Sequence, residues 1–485
     1  MSHAQPHHTE EARHSMSVAA WIGFFLGPFF LLLTFILPPP EGMSETAWAV
    51  VGLTLLMATW WSTEAIPIPI TSLLPILLVP ALGVGTLGQA TAPYANPIIF
   101  LFLGGFLLGL AMQRWNLHRR IALLTLLAVG DKPAKQIAGF MLATGFISMW
   151  VSNTATAIMM LPIGLSVISL MESDDEGELE RFATALLLAI AYAASVGGIA
   201  TLIGTPPNAL LAGYLADNHG MQLGFGEWMV IGLPVTLVMM LFTWWWLSRK
   251  NFNIKGNSNE MLRAELDKMG TMSRGEKLVA IVFVLTALAW IFRPLFNDAM
   301  PWLTDTGIAI AAAIALFLIP VDIKKRVFLM SWEKADAIPW GVLLLFGGGL
   351  ALAGVITSSG LAEWIASGLS VFGTLPLLLV IGIVVLVIIF LTEVTSNTAT
   401  AAAFLPLLGA LAVAQDMSPL LFTVPAAIAA SCAFMMPVAT PPNAIVFATG
   451  HMKIQSMIKA GFALNLGGVL VVTLISYALI IAFWL

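Results

Sequence analysis

Residues 152–157 read SNTATA, and residues 396–401 read SNTATA again. A proline pair follows each copy, in GTPPNA at 204–209 and ATPPNA at 439–444. Each SNT leaves one apolar stretch and enters another that carries Leu-Pro, at 161–162 and 405–406. Ser, Asn and Thr are good helix caps, so each SNT reads as a hairpin tip where one half-helix ends and the next begins. Such a tip collects hydroxyls, an amide, free carbonyls and free N–H groups in one place. TPPN does the same inside a span, because two prolines remove two donors and break the helix. The carbonyls left behind can bind a cation, and the new helix N-terminus can face an anion. No Lys or Arg lies at 136–171, 182–213, 376–413 or 420–450. An anion there must be held by neutral donors, helix N-termini and co-bound cations. Neutral hard oxygens suit Na⁺ better than Mg²⁺ or Ca²⁺, which want charged oxygens. Two tips and two breaks suggest two cation sites flanking one substrate. The symmetry of the tips suggests a substrate with an acid group at each end, such as a C4-dicarboxylate.

Unpaired backbone of this kind is tolerated in a membrane only inside protein or along a water-filled cavity. The rest of the chain supplies the membrane context. Its 485 residues are 59% hydrophobic and 10% charged, with a mean hydropathy of +0.94, whereas soluble domains carry about 25% charged residues. Apolar runs at 19–37, 47–62, 229–247, 278–292, 306–320 and 461–484 are long enough to cross a hydrocarbon core of about 30 Å. The fold class is all-α and polytopic. A β-barrel would alternate over segments of about 10 residues instead. The opening MSHAQPHHTEEARHSM lacks the basic region of a signal peptide. Residues 1–18 therefore read as a polar cytoplasmic tail and 19–37 as a retained first transmembrane helix.

Charge sets the topology. With the tail inside, spans fall near 19–37, 47–62, 66–83, 97–113, 182–213, 229–247, 278–294, 306–320, 340–357, 420–450 and 461–484. These are eleven crossings, provided that 135–171 and 376–413 each enter and return on one side as re-entrant hairpins. Of the 21 Lys and Arg, 20 then lie inside, seven of them in the loop 248–277, and Arg293 marks an outer helix end. The C-terminus lies outside. The duplication extends beyond the tips, since FLFLGGFLLGLA (100–111) echoes LLLFGGGLALAG (343–354). The glycine, SNT and TPPN motifs recur in order at offsets of 243, 244 and 235 residues. An odd number of crossings per half inverts the copies. The first inverted repeat is 47–247, the cytoplasmic loop is 248–277 and the second repeat is 278–484. Inverted repeats with broken helices in matching positions point to a secondary transporter with a midplane site.

The paired SNTAT, the paired TPPN and the context LTEVTSNTAT (391–400) resemble the divalent anion/sodium symporter family, the INDY-like dicarboxylate transporters. The resemblance covers nearly the whole chain past the tail. It implies a homodimer in the plasma (inner) membrane, with a scaffold domain and a transport domain that moves as an elevator. It implies that Ser152, Asn153, Thr154, Ser396, Asn397 and Thr398 contact the substrate carboxylates, with Thr205, Pro206, Thr440 and Pro441 completing the pocket. It places a first Na⁺ at Ser148, Ser152, Asn153 and Gly204, and a second at Thr392, Thr395, Asn397 and Ala439. The implied activity is sodium-coupled import of succinate, malate or fumarate. The alternatives are a sodium-independent dicarboxylate exchanger, or a symporter for citrate or sulfate. Neutral small residues at the sodium positions favour symport.

Other candidates carry less. Glu393, inside the second hairpin, is matched by Met149 in the first. An intramembrane acid is a functional suspect, but a hydrogen-bonding role is the reading here, ahead of proton coupling. Glu64 sits at the turn between two spans. Trp244, Trp245 and Trp246 precede a basic loop, as an interfacial belt does. Cys432 reads as a small buried side chain, and the N-terminal histidines as part of a polar tail. His118, His219 and His451 are scattered. No nucleophile–base pair, phosphate loop, zinc spacing or nucleic-acid module is present in the sequence, which disfavours an ATP-driven pump and gives no basis for an enzyme.

Overall fold

The computed structural model describes residues 16–173, 175–250, 252–256, 258–296, 299–368 and 375–485. The tail histidines and Arg13 lie outside the described residues. Ser17 and Ser44 cap α1 (Val18–Ile36) and α2 (Glu45–Thr63), each accepting a backbone N–H at the helix start. Glu64 ends α2 in the left-handed conformation, with φ 51°. Short helices α3 (Ile68–Thr71), α4 (Leu74–Ala81) and α5 (Leu87–Thr91) lead to α6 (Pro97–Arg114) and α7 (Leu117–Val129). Next, α8 (Pro133–Ser148) and α9 (Asn153–Ser169) pack together and join through 149–152. The long apolar run after them splits into α10 (Glu176–Gly198) and α11 (Pro206–His219), and α12 (Phe225–Ser248) completes the half.

An amphipathic helix, α13 (Ser258–Met269), occupies the loop between the halves. The second half runs through α14 (Arg274–Phe292), α15 (Asp305–Leu318), α16 (Trp332–Ala335), α17 (Trp340–Ser358) and α18 (Leu361–Gly368). It then repeats the earlier pattern. The pair α19 (Leu377–Thr392) and α20 (Asn397–Ala414) is followed by a split rod, α21 (Leu420–Ala430) and α22 (Pro441–Phe447), and by α23 (Ile454–Phe483). Among the described residues, eight helices are long and apolar enough to cross a membrane. A two-stranded antiparallel ribbon, β1 (Pro320–Asp322) and β2 (Val327–Phe328), is a small departure from an all-α chain. It closes a tight basic turn in which Arg326 takes φ 54°.

The basic segments meet at one end of the bundle. Arg120 Nε lies 2.8 Å from Glu276 Oε1 in a buried pair, and Arg119 lies 2.6 Å from Glu265 on α13. Gln136 donates to Ser258 at 2.6 Å, Glu172 N to Lys255 O at 2.8 Å, and the Trp115 indole to Leu329 O at 2.9 Å. Arg293 lies apart from these, paired with Asp305 at 2.7 Å. The distribution of Lys and Arg along the chain thus has a spatial counterpart.

The repeated glycines have a packing role that the sequence reading did not assign. A Cβ on Gly104 of α6 would lie 2.6 Å from Ala309 O of α15. A Cβ on Gly348 of α17 would overlap Ser72 O, between α3 and α4. The same motif in each half therefore lets one helix touch another's backbone. Gly354, at the end of the second motif, has open space around it. Overpacking costs about 1–3 kcal/mol, so Gly348→Ala should lower the unfolding temperature of the purified protein while Gly354→Ala leaves it unchanged. A thermal melt of both variants in one detergent checks this.

Candidate cation and anion site at the helix breaks

The first tip is built by capping. Ser152 ends the turn 149–152, and its hydroxyl accepts from Ala155 N at 3.3 Å. Asn153 then opens α9 and reaches back to the end of α8. Its Oδ1 lies 2.7 Å from Ser148 Oγ, and Ser148 donates to Ala194 O of α10 at 2.6 Å. Four oxygens converge here: Ser148 Oγ, Asn153 Oδ1, Ala194 O and Gly204 O. Turned over, the Asn153 amide nitrogen would sit 3.0 Å from Ala194 O, 2.7 Å from Ser148 Oγ and 3.2 Å from Gly204 O. The amide thus either donates to three acceptors or adds its own oxygen to them around a cation. Glycine is required beside it, since a Cβ on Gly198 would lie 2.7 Å from Asn153 Oδ1 and 2.8 Å from Gly204 O.

The second tip repeats the construction. Thr392 closes α19 and Asn397 opens α20. Thr392 Oγ1 lies 2.8 Å from Asn397 Oδ1 and donates to Ala430 O of α21 at 3.0 Å. Thr392 stands to Asn397 as Ser148 stands to Asn153, and Ala430 replaces Ala194. The buried Ala439 holds the chain position that Gly204 holds in the first half. Both clusters consist of neutral hard oxygens of the kind Na⁺ accepts. Thr395 departs from its expected place. Its hydroxyl turns into its own hairpin, donating to Leu391 O at 2.9 Å and lying 2.6 Å from Thr400 Oγ1.

The TPPN segments start the half-helices after the breaks. Pro206 and Pro441 are the first residues of α11 and α22, where a missing N–H costs nothing. Thr440 caps α22 by accepting from Asn443 N at 3.3 Å. Thr205 caps nothing with its side chain; its hydroxyl lies 3.4 Å from Ser431 Oγ, at the end of α21. The two breaks therefore touch. Thr154 and Thr398 lie in the first turns of α9 and α20, beside the tips. Ser396 makes no side-chain cap bond.

Three residues hold these breaks: two that the sequence motifs contain without revealing their role, and Glu393, for which a hydrogen-bonding role was expected. Asn208 donates to Gly198 O, Ile199 O and Thr201 O at 3.2, 3.3 and 2.8 Å. Asn443 donates to Ala433 O and Met436 O at 3.1 and 3.0 Å. The last letter of each TPPN is thus a clamp on the loop before it, and its recurrence in both copies was the available signal. Glu393 is the third. Its Oε1 accepts from Phe434 N, Met435 N and Asn465 Nδ2 at 2.6, 2.9 and 2.8 Å, and its Oε2 from Met436 N at 3.0 Å. A buried carboxylate with this many donors is a fastening for the second break. The first break uses Thr201 instead, which donates to Met149 O at 2.5 Å and accepts from Gly204 N at 3.1 Å.

Glu393→Ala would orphan buried donors, each at a cost of about 1–3 kcal/mol. Glu393→Gln keeps the Oε1 acceptor and loses only the bond to Met436. Glu393→Ala should therefore give a much lower melting temperature and little uptake, and Glu393→Gln a milder loss of both. Equal damage from the two would contradict the fastening role.

A family profile described as "Sodium:sulfate symporter transmembrane region" matches residues 18–484. The "Sodium-dependent dicarboxylate transporter SdcS" of Staphylococcus saprophyticus is 44% identical over 480 residues, covering 96% of this chain and 92% of that one. Its namesake from Staphylococcus aureus strain USA300 is 44% identical over 475 residues, covering 95% and 91%. Among solved structures, the Alcanivorax borkumensis YdaH transporter aligns with a TM-score of 0.55 at 16% identity, covering 96% of this chain and 98% of that one. Neisseria gonorrhoeae MtrF aligns with a TM-score of 0.57 at 13% identity, covering 96% and 95%. At such identities the structural likeness concerns the fold alone. The paired tips and breaks, the family match along nearly the whole chain and the 44% identity together place this chain in the sodium:sulfate symporter family.

Proposed function

We propose that the chain is a sodium-coupled symporter that imports C4-dicarboxylates such as succinate, malate and fumarate. The observation that carries this reading is the pair of matched oxygen clusters, Ser148–Asn153–Ala194–Gly204 and Thr392–Asn397–Ala430. Each sits where a tip meets a broken helix. Cations held there would supply the positive charge that the surrounding segments lack. The backbone donors at the starts of α9 and α20 would supply the rest. The staphylococcal relatives, named as sodium-dependent dicarboxylate transporters, support the same substrate class. Glu393 fits less well as a proton carrier, because both of its oxygens are already occupied as acceptors, by three backbone N–H groups and the Asn465 amide.

The proposed setting is the plasma membrane, with eleven crossings, the N-terminus inside and the C-terminus outside. The 16 residues of α8 and of α19 span about 24 Å at 1.5 Å per residue. Each ends at a tip after which α9 or α20 packs back against it, as a re-entrant hairpin would. We assign α8–α12 and α19–α23 to the moving body. Both breaks lie in it, and Tyr192 ties its two parts by donating to Phe434 O at 2.8 Å. We assign α1–α6 and α14–α17 to the scaffold, which the family resemblance pairs across a homodimer.

Uptake by proteoliposomes tests the function. Labelled succinate should enter with an inward Na⁺ gradient and not with an equal K⁺ gradient, with competition from malate and fumarate. Na⁺-independent uptake that needs internal dicarboxylate would replace the symporter with an exchanger. No succinate uptake, with citrate or sulfate carried instead, would change the substrate. Asn153→Ala and Asn397→Ala should each cut uptake at least tenfold with normal insertion in the membrane, on the scale of about 1.4 kcal/mol or more per lost charge-assisted contact. Normal transport by either variant would remove that oxygen cluster from the mechanism.

A further inference from the structure

The first turn of α12 is seated on α14 and α15 in an unusual way. Gly224 precedes the helix and has no side chain with which to cap it. Instead the Phe225 N–H donates to Asp305 Oδ2 on α15 at 2.7 Å. The other carboxylate oxygen lies 2.7 Å from Arg293 Nε, and both side chains are largely buried, at 12% and 17% exposure. The Phe225 ring stacks on Trp290 of α14, with centroids 4.5 Å apart and planes 12° apart. The Trp290 indole in turn donates to Asp305 O at 3.0 Å. Gly226 lets the backbones approach, since a Cβ there would lie 3.0 Å from Ile291 O. At the neighbouring end of α11, Asp217 Oδ2 accepts from Asn96 Nδ2 at 2.7 Å, while Asn96 Oδ1 caps α6 by accepting from Ile98 N.

We propose that Asp305, held by Arg293, is a releasable cap that docks the start of α12 on the scaffold in one state of the transport cycle. This rests on the reading above that α8–α12 move against α14 and α15. A carboxylate at a helix N-terminus makes a charge-assisted bond favoured by the helix dipole. A slide of a single helical turn, about 5.4 Å, carries the Phe225 N–H out of reach. Asp305 then keeps Arg293, so no buried charge is stranded. The freed N–H turns to water. The Phe225–Trp290 stack and the Asn96–Asp217 bond must open in the same movement. All of these contacts belong to the docked state, so together they bias the resting population toward it.

The only cysteine of the chain, Cys432, is buried, so a Cys432→Ala background leaves no native thiol. In that background, Asn96→Cys and Asp217→Cys place a pair across the boundary that Hg²⁺ can bridge. Bridging should arrest succinate uptake, and a thiol chelator should restore it. Adding Asp305→Ala should slow formation of the bridge roughly tenfold, the scale of one lost charge-assisted bond. Asp305→Asn, which keeps an acceptor for Phe225 N, should slow it less and guards against misfolding of the alanine variant. If the bridged protein transports as fast as the unbridged one, the boundary does not move, and both the elevator reading and the cap fall. If bridging arrests uptake but both Asp305 variants bridge at the parent rate, the movement stands and the cap alone falls.

Discussion

Backbone polar groups that leave a helix inside the membrane must find partners, because hydrocarbon offers none. This chain breaks helices in four matched places and then finds partners for many of the groups the breaks expose. Asn208 and Asn443 take up carbonyls of the two interrupted rods. Thr201 and Glu393 take up N–H groups. With the Asn153 oxygen turned toward Ser148 Oγ, one hydroxyl hydrogen at each tip faces two acceptors, Asn153 Oδ1 and Ala194 O at the first and Asn397 Oδ1 and Ala430 O at the second; with that amide turned over, the first tip is satisfied. A surplus of oxygens with too few hydrogens is an energetic defect in a protein without ions and a binding site in one with them. If sodium binds at these tips, its coupling to substrate would be the completion of an unfinished hydrogen-bond network.

The two halves complete that network with different materials. The first break relies on glycine, at Gly198 and Gly204, and on a threonine hydroxyl. The second has alanine at the matching positions and relies on a carboxylate, which takes three consecutive N–H groups and the Asn465 amide. A charged fastening is stiffer than a neutral one and carries a negative field into its surroundings. The two oxygen clusters thus share a geometry and differ in what surrounds them. Equal affinity of the two for the same ion is not what this arrangement leads one to expect.

Much of this was legible in the chain itself. The repeated SNT and TPPN marked the tips and breaks because they carry side-chain functions and prolines at fixed spacing. Ser148, Asn153 and Gly204 lie together at the first tip, and Thr392 and Asn397 at the second. Ala194 and Ala430 were invisible, because each contributes a carbonyl that every residue owns and alanine advertises nothing. Asn208 and Asn443 were visible as letters but were not read as clamps. Within the long apolar runs at 182–213 and 420–450 the prolines marked the breaks, although hydropathy alone does not register a change of direction. The polar helix α13 was hidden for the opposite reason. Its amphipathic pattern sits inside a charged loop, and its order comes from tertiary contacts such as Arg119–Glu265 and Gln136–Ser258.

The most direct test of the account is the linkage between the two ligands at equilibrium, without transport. Succinate binding to the purified protein should be titrated calorimetrically at a series of Na⁺ concentrations, with choline holding ionic strength constant. If cations complete the site, succinate affinity rises steeply with Na⁺, and succinate tightens Na⁺ binding by the same factor, as linkage requires. Succinate affinity that stays constant when choline replaces Na⁺ would contradict the account.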